Sequence, residues 1–366
     1  MIDTITVKGF KSIASVEKLP LKAINVIVGA NGSGKSNFIG VFSFIRALRE
    51  GSLRNYVAKA GGANRVLHFG SKHTRRLDIE ISFEGGRNAY NVQLEPSAEN
   101  GLYPSTELVY FNPGSHPKPF SEGLVPINGE AGISNSKVSK TASWVRHYLG
   151  TWRVYHLHDT SVSSPMRLDA DVADNRFLRS DGSNIAAFLH LLQSKHSASY
   201  ERIQQAFQRV APFFEEFVLK PQKLSPDTIR LEWKHQGSDA YFDVASLSDG
   251  SLRFLVLATL LLQPVSLRPS VVVVDEPELG LHPFAIRMLG SMVKEVAVET
   301  QVIVSTQSSL LIDQFDAEDI VVADRKDGGT HLSRLDPSAL EGWLAEYSLG
   351  ELWEKNELGG RPAIEK

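Results

Sequence analysis

Gly29-Ala30-Asn31-Gly32-Ser33-Gly34-Lys35-Ser36 satisfies the pattern G-x-x-x-x-G-K-[ST] in full. Glycines at these positions let successive backbone N–H groups turn toward one anion, and a helix starting at the last residues points its positive end at the same spot. Lys35 is placed to reach the β- and γ-phosphates of a bound nucleotide, and the Ser36 hydroxyl to ligate Mg²⁺. Val271, Val272, Val273 and Val274 run into Asp275 and Glu276. A buried β-branched strand that delivers carboxylates at its end supplies what a phosphate loop lacks. Asp275 can hold Mg²⁺ through water, and Glu276 can polarise a water that attacks the γ-phosphate. Leu247-Ser248-Asp249-Gly250-Ser251 precedes an apolar run, 28 residues before Asp275. A serine and a glycine at a helix start make a further anion site. One chain already carries its own phosphate loop, so a second anion site implies a second nucleotide face. Gln307 closes an apolar run 31 residues after Glu276. Its amide can hydrogen-bond a γ-phosphate but cannot take a proton from it.

The elements that must position these residues follow from the hydrophobic pattern. Residues 2–8 alternate and predict a strand; 23–28 are almost wholly apolar, as in a sheet covered on both faces. A helix is expected from about Ser36. Residues 51–75 read as loop-rich, 77–83 and 89–94 as a hairpin turning at Gly85 and Gly86, and 96–140 as irregular. Helices are expected over 184–193, 200–210, 250–263 and near 283–298. Strands are expected over 228–234, 240–244, 270–274, 301–305 and 320–323. The α/β alternation at the two ends argues for one nucleotide core split by an insertion: an N-terminal part (1–95), an inserted lobe (96–225), a C-terminal part (226–335) and an acidic helical tail (336–366).

The order of these motifs resembles ABC-type ATPases, with Ser248 and Gly250 in the place of the signature motif. Asp249 stands where the family usually has glycine. Ile5-Thr6-Val7-Lys8-Gly9-Phe10-Lys11-Ser12-Ile13, the loop ending in Ser36-Asn37, and Glu278-Leu279-Gly280-Leu281-His282-Pro283 are similar to the SMC, RecF and OLD-like group. The resemblance covers residues 1–50 and 245–325. It implies an α/β fold with an ABC-type core and a mixed twisted sheet, split by a helical and irregular lobe. It also implies an ATPase that works as a head-to-tail homodimer with ATP and Mg²⁺ between protomers. By the same resemblance Asn31, Gly32, Ser33, Gly34, Lys35, Ser36, Asn37, Ser248 and Gly250 bind nucleotide. Glu276, Lys35 and Gln307 act on the γ-phosphate, and Ser36 and Asp275 serve the metal. Lys11 or Ser12 lines the nucleotide face. A glutamine loop is expected between the two halves, with Gln93 as its candidate and metal contact, and Asp78 and the basic loop before it as the alternative.

SMC-type heptads are absent, and the 40 or so residues after the last core strand are too few for an OLD-type nuclease domain. A separate effector, nuclease or toxin, is therefore expected, in DNA repair or anti-phage defence. Two other readings remain: an ATP-dependent scaffold with negligible turnover, kept open by Asp249 and Gln307, and a transporter ATPase, disfavoured by the missing histidine at 307. The 366 residues carry no cysteine, which excludes disulfides and cysteine-ligated metals, and a net charge of -3, which gives no whole-chain pull toward nucleic acid. No secretory leader or membrane span is indicated, so a cytoplasmic setting is expected.

Locally, Arg46, Arg49, Arg54, Lys59, Arg65, Lys72, Arg75 and Arg76 face one acid, Glu50, between residues 42 and 77. They form either a DNA-binding stripe or a solvated surface. In the tail, Trp343, Leu344, Leu349 and Trp353 alternate with acids, as a docking surface or as packing against the protein's own core. His156 and His158 lie two apart on a predicted strand, and the sequence indicates no third ligand. Ser161, Ser163 and Ser164 read as loop residues.

Overall fold

The computed structural model describes residues 1–114 and 119–360. Parts of two segments read above, residues 115–118 and the last six of the tail, lie outside the described residues. The chain divides into two compact units, Met1–Val154 with Ser270–Val273 and Ile303–Lys366, and Tyr155–Pro269 with Val274–Val302.

The first unit contains two six-stranded sheets. One is antiparallel, in the order Ile13–Pro20, Ile2–Phe10, Leu77–Phe83, Asn88–Pro96, Leu102–Phe111 and Phe120–Gly123. The other is mixed, in the order Gly329–Arg334, Ile320–Lys326, Ile24–Val28, Gln301–Thr306, Val271–Asp275 and Trp152–Tyr155. In it Ile320–Lys326 runs parallel to Ile24–Val28 and antiparallel to Gly329–Arg334. The helix Lys35–Glu50 follows Ile24–Val28. Its apolar face is wide: Phe38, Phe42, Phe44, Ile45 and Leu48 share one buried cluster with Ile5, Val7 and Ile79 of the first sheet and Val271 and Ile303 of the second, while Ser36, Ser43, Arg46 and Glu50 keep a partly exposed polar face. Burial of the wide apolar face fixes the helix against both sheets and so fixes where its N-terminus points.

Several expectations need correction. Within 96–140, read from the sequence as irregular connections with short edge strands, Leu102–Phe111 is a longer, ten-residue strand. Its Pro104 sits at a register shift opposite Leu94, where the ladder is already irregular. Residues 51–75 hold the helices Leu53–Ala60 and Ala63–Val66. The boundary drawn at 95 does not coincide with the contact division, because residues up to Val154 pack in the first unit. The strand Ile13–Pro20 was not foreseen; it pairs with Ile2–Phe10 and shows burial only at every third residue.

The second unit stacks the helices Ile185–Lys195, Ser197–Val210, Asp249–Leu262 and Pro283–Val296. It adds a three-stranded sheet of Phe214–Val218, Glu232–His235 and Tyr241–Asp243, packed through Phe207, Phe214, Phe217 and Trp233. Asp249–Leu262 is buried at every position from Leu252 onward.

Glu107, on Leu102–Phe111, is buried and ties the first sheet to the turn beyond it. Its carboxylate accepts from the Gly132 and Ile133 N–H groups at 2.6 and 2.9 Å and from the Tyr90 hydroxyl at 2.9 Å. Burial raises the Glu107 pKa above the usual carboxylate range, and these three donors oppose that rise. Glu107→Ala would strand three buried donors and is expected to cost about 2–4 kcal/mol in urea unfolding; a loss of less than about 0.5 kcal/mol would remove this carboxylate from the account of the sheet.

Candidate functional site

The glycine-rich loop and the helix after it belong to the first unit. Gly32 and Gly34 take φ values of 82° and 105°, in the left-handed region where a side chain is strained. A Cβ on Gly34 would stand 1.9 Å from the Thr330 Oγ1, so no larger residue fits there. Gly34 stands at the cap of the helix Lys35–Glu50 with no side-chain cap hydrogen bond, and a helix start of this kind suits an anion. Lys35 is only 4% exposed; its Nζ donates to the carbonyls of Gly29 at 2.6 Å and Ala30 at 3.1 Å. Ser36 is exposed at the mouth of the loop.

A network of hydroxyls braces this loop. The Thr330 hydroxyl donates to the Ser33 carbonyl at 2.8 Å and lies 2.7 Å from the Ser12 hydroxyl, which accepts from the Asn37 amide at 2.7 Å. The structure therefore brings Ser12 and Asn37, both sequence candidates, onto one hydrogen-bonded line, and adds Thr330. Thr330 lies almost 300 residues from the loop in sequence, in a short strand no motif announces. Lys11 has φ 47°, and burial depresses the pKa of its ammonium. Gln307 donates from its amide to the Asn31 Oδ1 at 2.9 Å, so the residue expected at the γ-phosphate meets one expected to bind nucleotide. The Ala30 N–H donates to the Gly360 carbonyl at 2.9 Å, which brings the end of the described tail onto the loop.

Asp275, Glu276 and the Ser248–Ser251 segment belong to the second unit. Asp275 is buried at the end of its strand. Glu276 follows with φ 43°, a backbone conformation that a residue with a Cβ seldom adopts and that costs of the order of 1–3 kcal/mol. Ser248 caps the helix Asp249–Leu262; its Oγ accepts from the Ser251 N–H at 3.1 Å and lies 2.8 Å from the Ser251 hydroxyl. Gly250 approaches the loop beyond Glu276 so closely that a Cβ would lie 2.2 Å from the Gly280 carbonyl oxygen. The Asp249 carboxylate is exposed and pairs at 2.7 Å with Arg167, whose side chain is buried. The same guanidinium donates to the carbonyls of Val244 at 2.7 Å and Leu247 at 3.2 Å. The acid in place of glycine at 249 is thus matched by a specific cation.

Gln93 is not in a loop. It lies inside the strand Asn88–Pro96, paired with Asp78 and Thr106, and its amide donates to the Asp78 carboxylate at 3.3 Å. Gln93 thus lies on the strand where the sequence placed it, with its amide engaged by the neighbouring strand. The residues beside Asp275 are instead His156 and His158, which follow the strand Trp152–Tyr155. Asp275 lies close to both histidines, a neighbour that sequence spacing did not indicate. The surrounding protein lowers the His156 pKa, while Asp275 draws it back up. The only sequence signal was the i, i+2 spacing; the carboxylate lies over a hundred residues away.

The serines at 161, 163 and 164 are loop residues, with the Ser164 Oγ donating to the Asp159 carbonyl. Of the basic segment, Arg46 pairs with Glu50 and Arg49 donates to the Arg146 carbonyl, whereas Arg54, Lys59, Arg65, Lys72, Arg75 and Arg76 are exposed. In the tail Leu349 and Leu352 are buried, but Trp343 is 45% exposed.

The sequence from 24 to 313 matches the family model described as "AAA domain, putative AbiEii toxin, Type IV TA system". The chain belongs to this family. No curated protein sequence matches it. Its fold is similar to that of SMC head domains with an ABC-type core. One such structure is an SMC head bound to the C-winged helix domain of ScpA, at TM-score 0.62 and 16% identity over 93% of this chain and 99% of that one. Another, derived from Pyrococcus furiosus, carries an extended coiled coil and is bound to the C-terminal domain of ScpA (TM-score 0.62, 15% identity, 94% and 98% covered). A third, from Pyrococcus yayanosii, has a coiled coil and joint (TM-score 0.57, 13% identity, 94% and 99% covered). The mixed sheet expected from the sequence is therefore present, in a fold similar to that of SMC heads. Among the described residues no helix is long and apolar enough to cross a membrane.

Arg167→Ala removes a buried guanidinium that serves the carbonyls of Thr160, Val244 and Leu247 as well as Asp249, and is expected to destabilise the chain by about 2–4 kcal/mol. Asp249→Asn, at the exposed end of the pair, should cost about 1 kcal/mol or less. Parallel denaturation curves check this ordering, and equal losses would contradict it.

Proposed function

We propose that this chain binds ATP with Mg²⁺ and hydrolyses it as a dimeric switch, ATP being closed between two copies arranged head to tail. The observation that carries this reading is the uncapped start of the helix Lys35–Glu50, in a loop whose glycines hold left-handed backbone and whose lysine is already turned in. Such a site suits a polyphosphate and little else. Asn31, Gly32, Ser33, Gly34, Lys35, Ser36 and Asn37 would hold the phosphates. Ser36 and Asp275 offer the hard oxygen donors that Mg²⁺ prefers, and the ion would neutralise charge on the β- and γ-phosphates. Glu276 would orient and deprotonate the attacking water, and its strained backbone supports that role. Gln307, bonded to Asn31, would sense the γ-phosphate by hydrogen bonding. Ser248 and Gly250 of a second copy would complete the site; the Ser248 cap and the close approach of Gly250 to Gly280 support a rigid, preformed helix start.

Opening and closing of the dimer would be read by a separate effector. The family's description supports a defence or toxin–antitoxin setting over DNA repair. DNA, if engaged, would meet the six exposed basic residues between Arg54 and Arg76.

Lys35→Ala is expected to abolish ATP binding. Glu276→Gln should keep binding, slow phosphate release by about 10²-fold or more, and accumulate an ATP-bound dimer visible by light scattering. Wild-type protein that binds ATP and dimerises but never releases phosphate, with or without DNA, would replace the switch by the scaffold reading.

A further inference from the structure

His156, His158 and Asp275 each bring one ligand atom within 4.8 Å of the other two. The histidines are two apart just past the strand Trp152–Tyr155, and extended backbone sends alternate side chains to the same side. The segment that carries them is fastened at successive residues. The His156 N–H donates to the Ser180 carbonyl at 3.3 Å, and Arg253 donates to the carbonyls of Leu157 at 2.8 Å and His158 at 3.3 Å. Arg253 is buried on the same helix that begins with the signature motif. His158 Nε2 lies 3.8 Å from Asp275 Oδ2. That is too long for a hydrogen bond, yet close to the edge of about 3.4 Å separating two ligands of a tetrahedral ion with bonds near 2.1 Å. Both rings are open to solvent, which gives an ion a way in and leaves room for water in the remaining positions.

We propose that His156, His158 and Asp275 form a binding site for a borderline divalent cation of the Zn²⁺ or Co²⁺ class. Two imidazoles and one carboxylate match the donors such ions prefer, whereas Mg²⁺ favours oxygen ligands alone. Three protein ligands leave at least one position open, as in exchangeable rather than closed structural sites. The site shares Asp275 with the proposed Mg²⁺–ATP site but does not rest on that reading, because its geometry needs no nucleotide.

The test is a Co²⁺ titration of the full chain without nucleotide, followed by visible absorption. One saturable ion per chain is expected, displaced by Zn²⁺ but not by a tenfold excess of Mg²⁺. His156→Ala and His158→Ala should each weaken binding about tenfold or more, and the double variant should lose it while still binding ATP in Mg²⁺. Lys35→Ala should lose ATP and keep Co²⁺, so failure of the nucleotide reading and failure of the cation reading give different results. If the double variant does not fold, proton NMR of the Co²⁺-loaded wild type decides instead, with two paramagnetically shifted imidazole N–H signals expected. Absence of saturable Co²⁺ binding, unchanged binding in a folded double variant, absence of the shifted signals, or displacement by Mg²⁺ at equal concentration would overturn the proposal.

Discussion

An ammonium group almost wholly removed from water has to be repaid by oxygen atoms, and Lys35 obtains them from the backbone of its own loop. For the carbonyls of Gly29 and Ala30 to face inward, the chain must turn back over the lysine, which forces Gly32 and Gly34 into left-handed backbone. The same turn directs N–H groups outward at the start of a helix that no side chain caps. Ser12, Asn37 and Thr330 then brace the turn from outside. Burial of the wide apolar face of the helix holds its end where these contacts need it.

Cations organise the second unit in a similar way. Arg167 gathers the carbonyls of Val244 and Leu247 ahead of the signature serine, and Arg253 gathers those of Leu157 and His158. Burial lowers the pKa of Arg253, opposed by Asp249 and Glu278, and a guanidinium remains charged through any such shift. Each guanidinium thus converts loop backbone, otherwise free to move, into a fixed surface. Gly250 against Gly280 closes the arrangement by direct backbone approach. Rigidity of this kind suits a surface meant to meet a ligand without first paying to become ordered.

The chemistry of the chain was legible in its sequence wherever it is carried by local patterns. The phosphate loop, the valine strand ending in Asp275 and Glu276, and the serine before the apolar helix each combine a motif with the element that presents it, and those elements appear as Ile24–Val28, Val271–Asp275 and Asp249–Leu262. Periodicity and capping act over a few residues, so a few residues suffice to read them.

What the tertiary structure alone decided are the partnerships between distant segments. The Gln93 amide meets Asp78 because the ladder sets the two residues opposite each other on adjacent strands. Thr330 reaches the phosphate loop, and His156 and His158 reach Asp275, only because strands far apart in the chain are neighbours in space. Asp249 looked like a departure until Arg167 was seen beside it. A sequence records which groups can donate, accept or bind; which of them meet is set by packing, which depends on the whole buried surface at once.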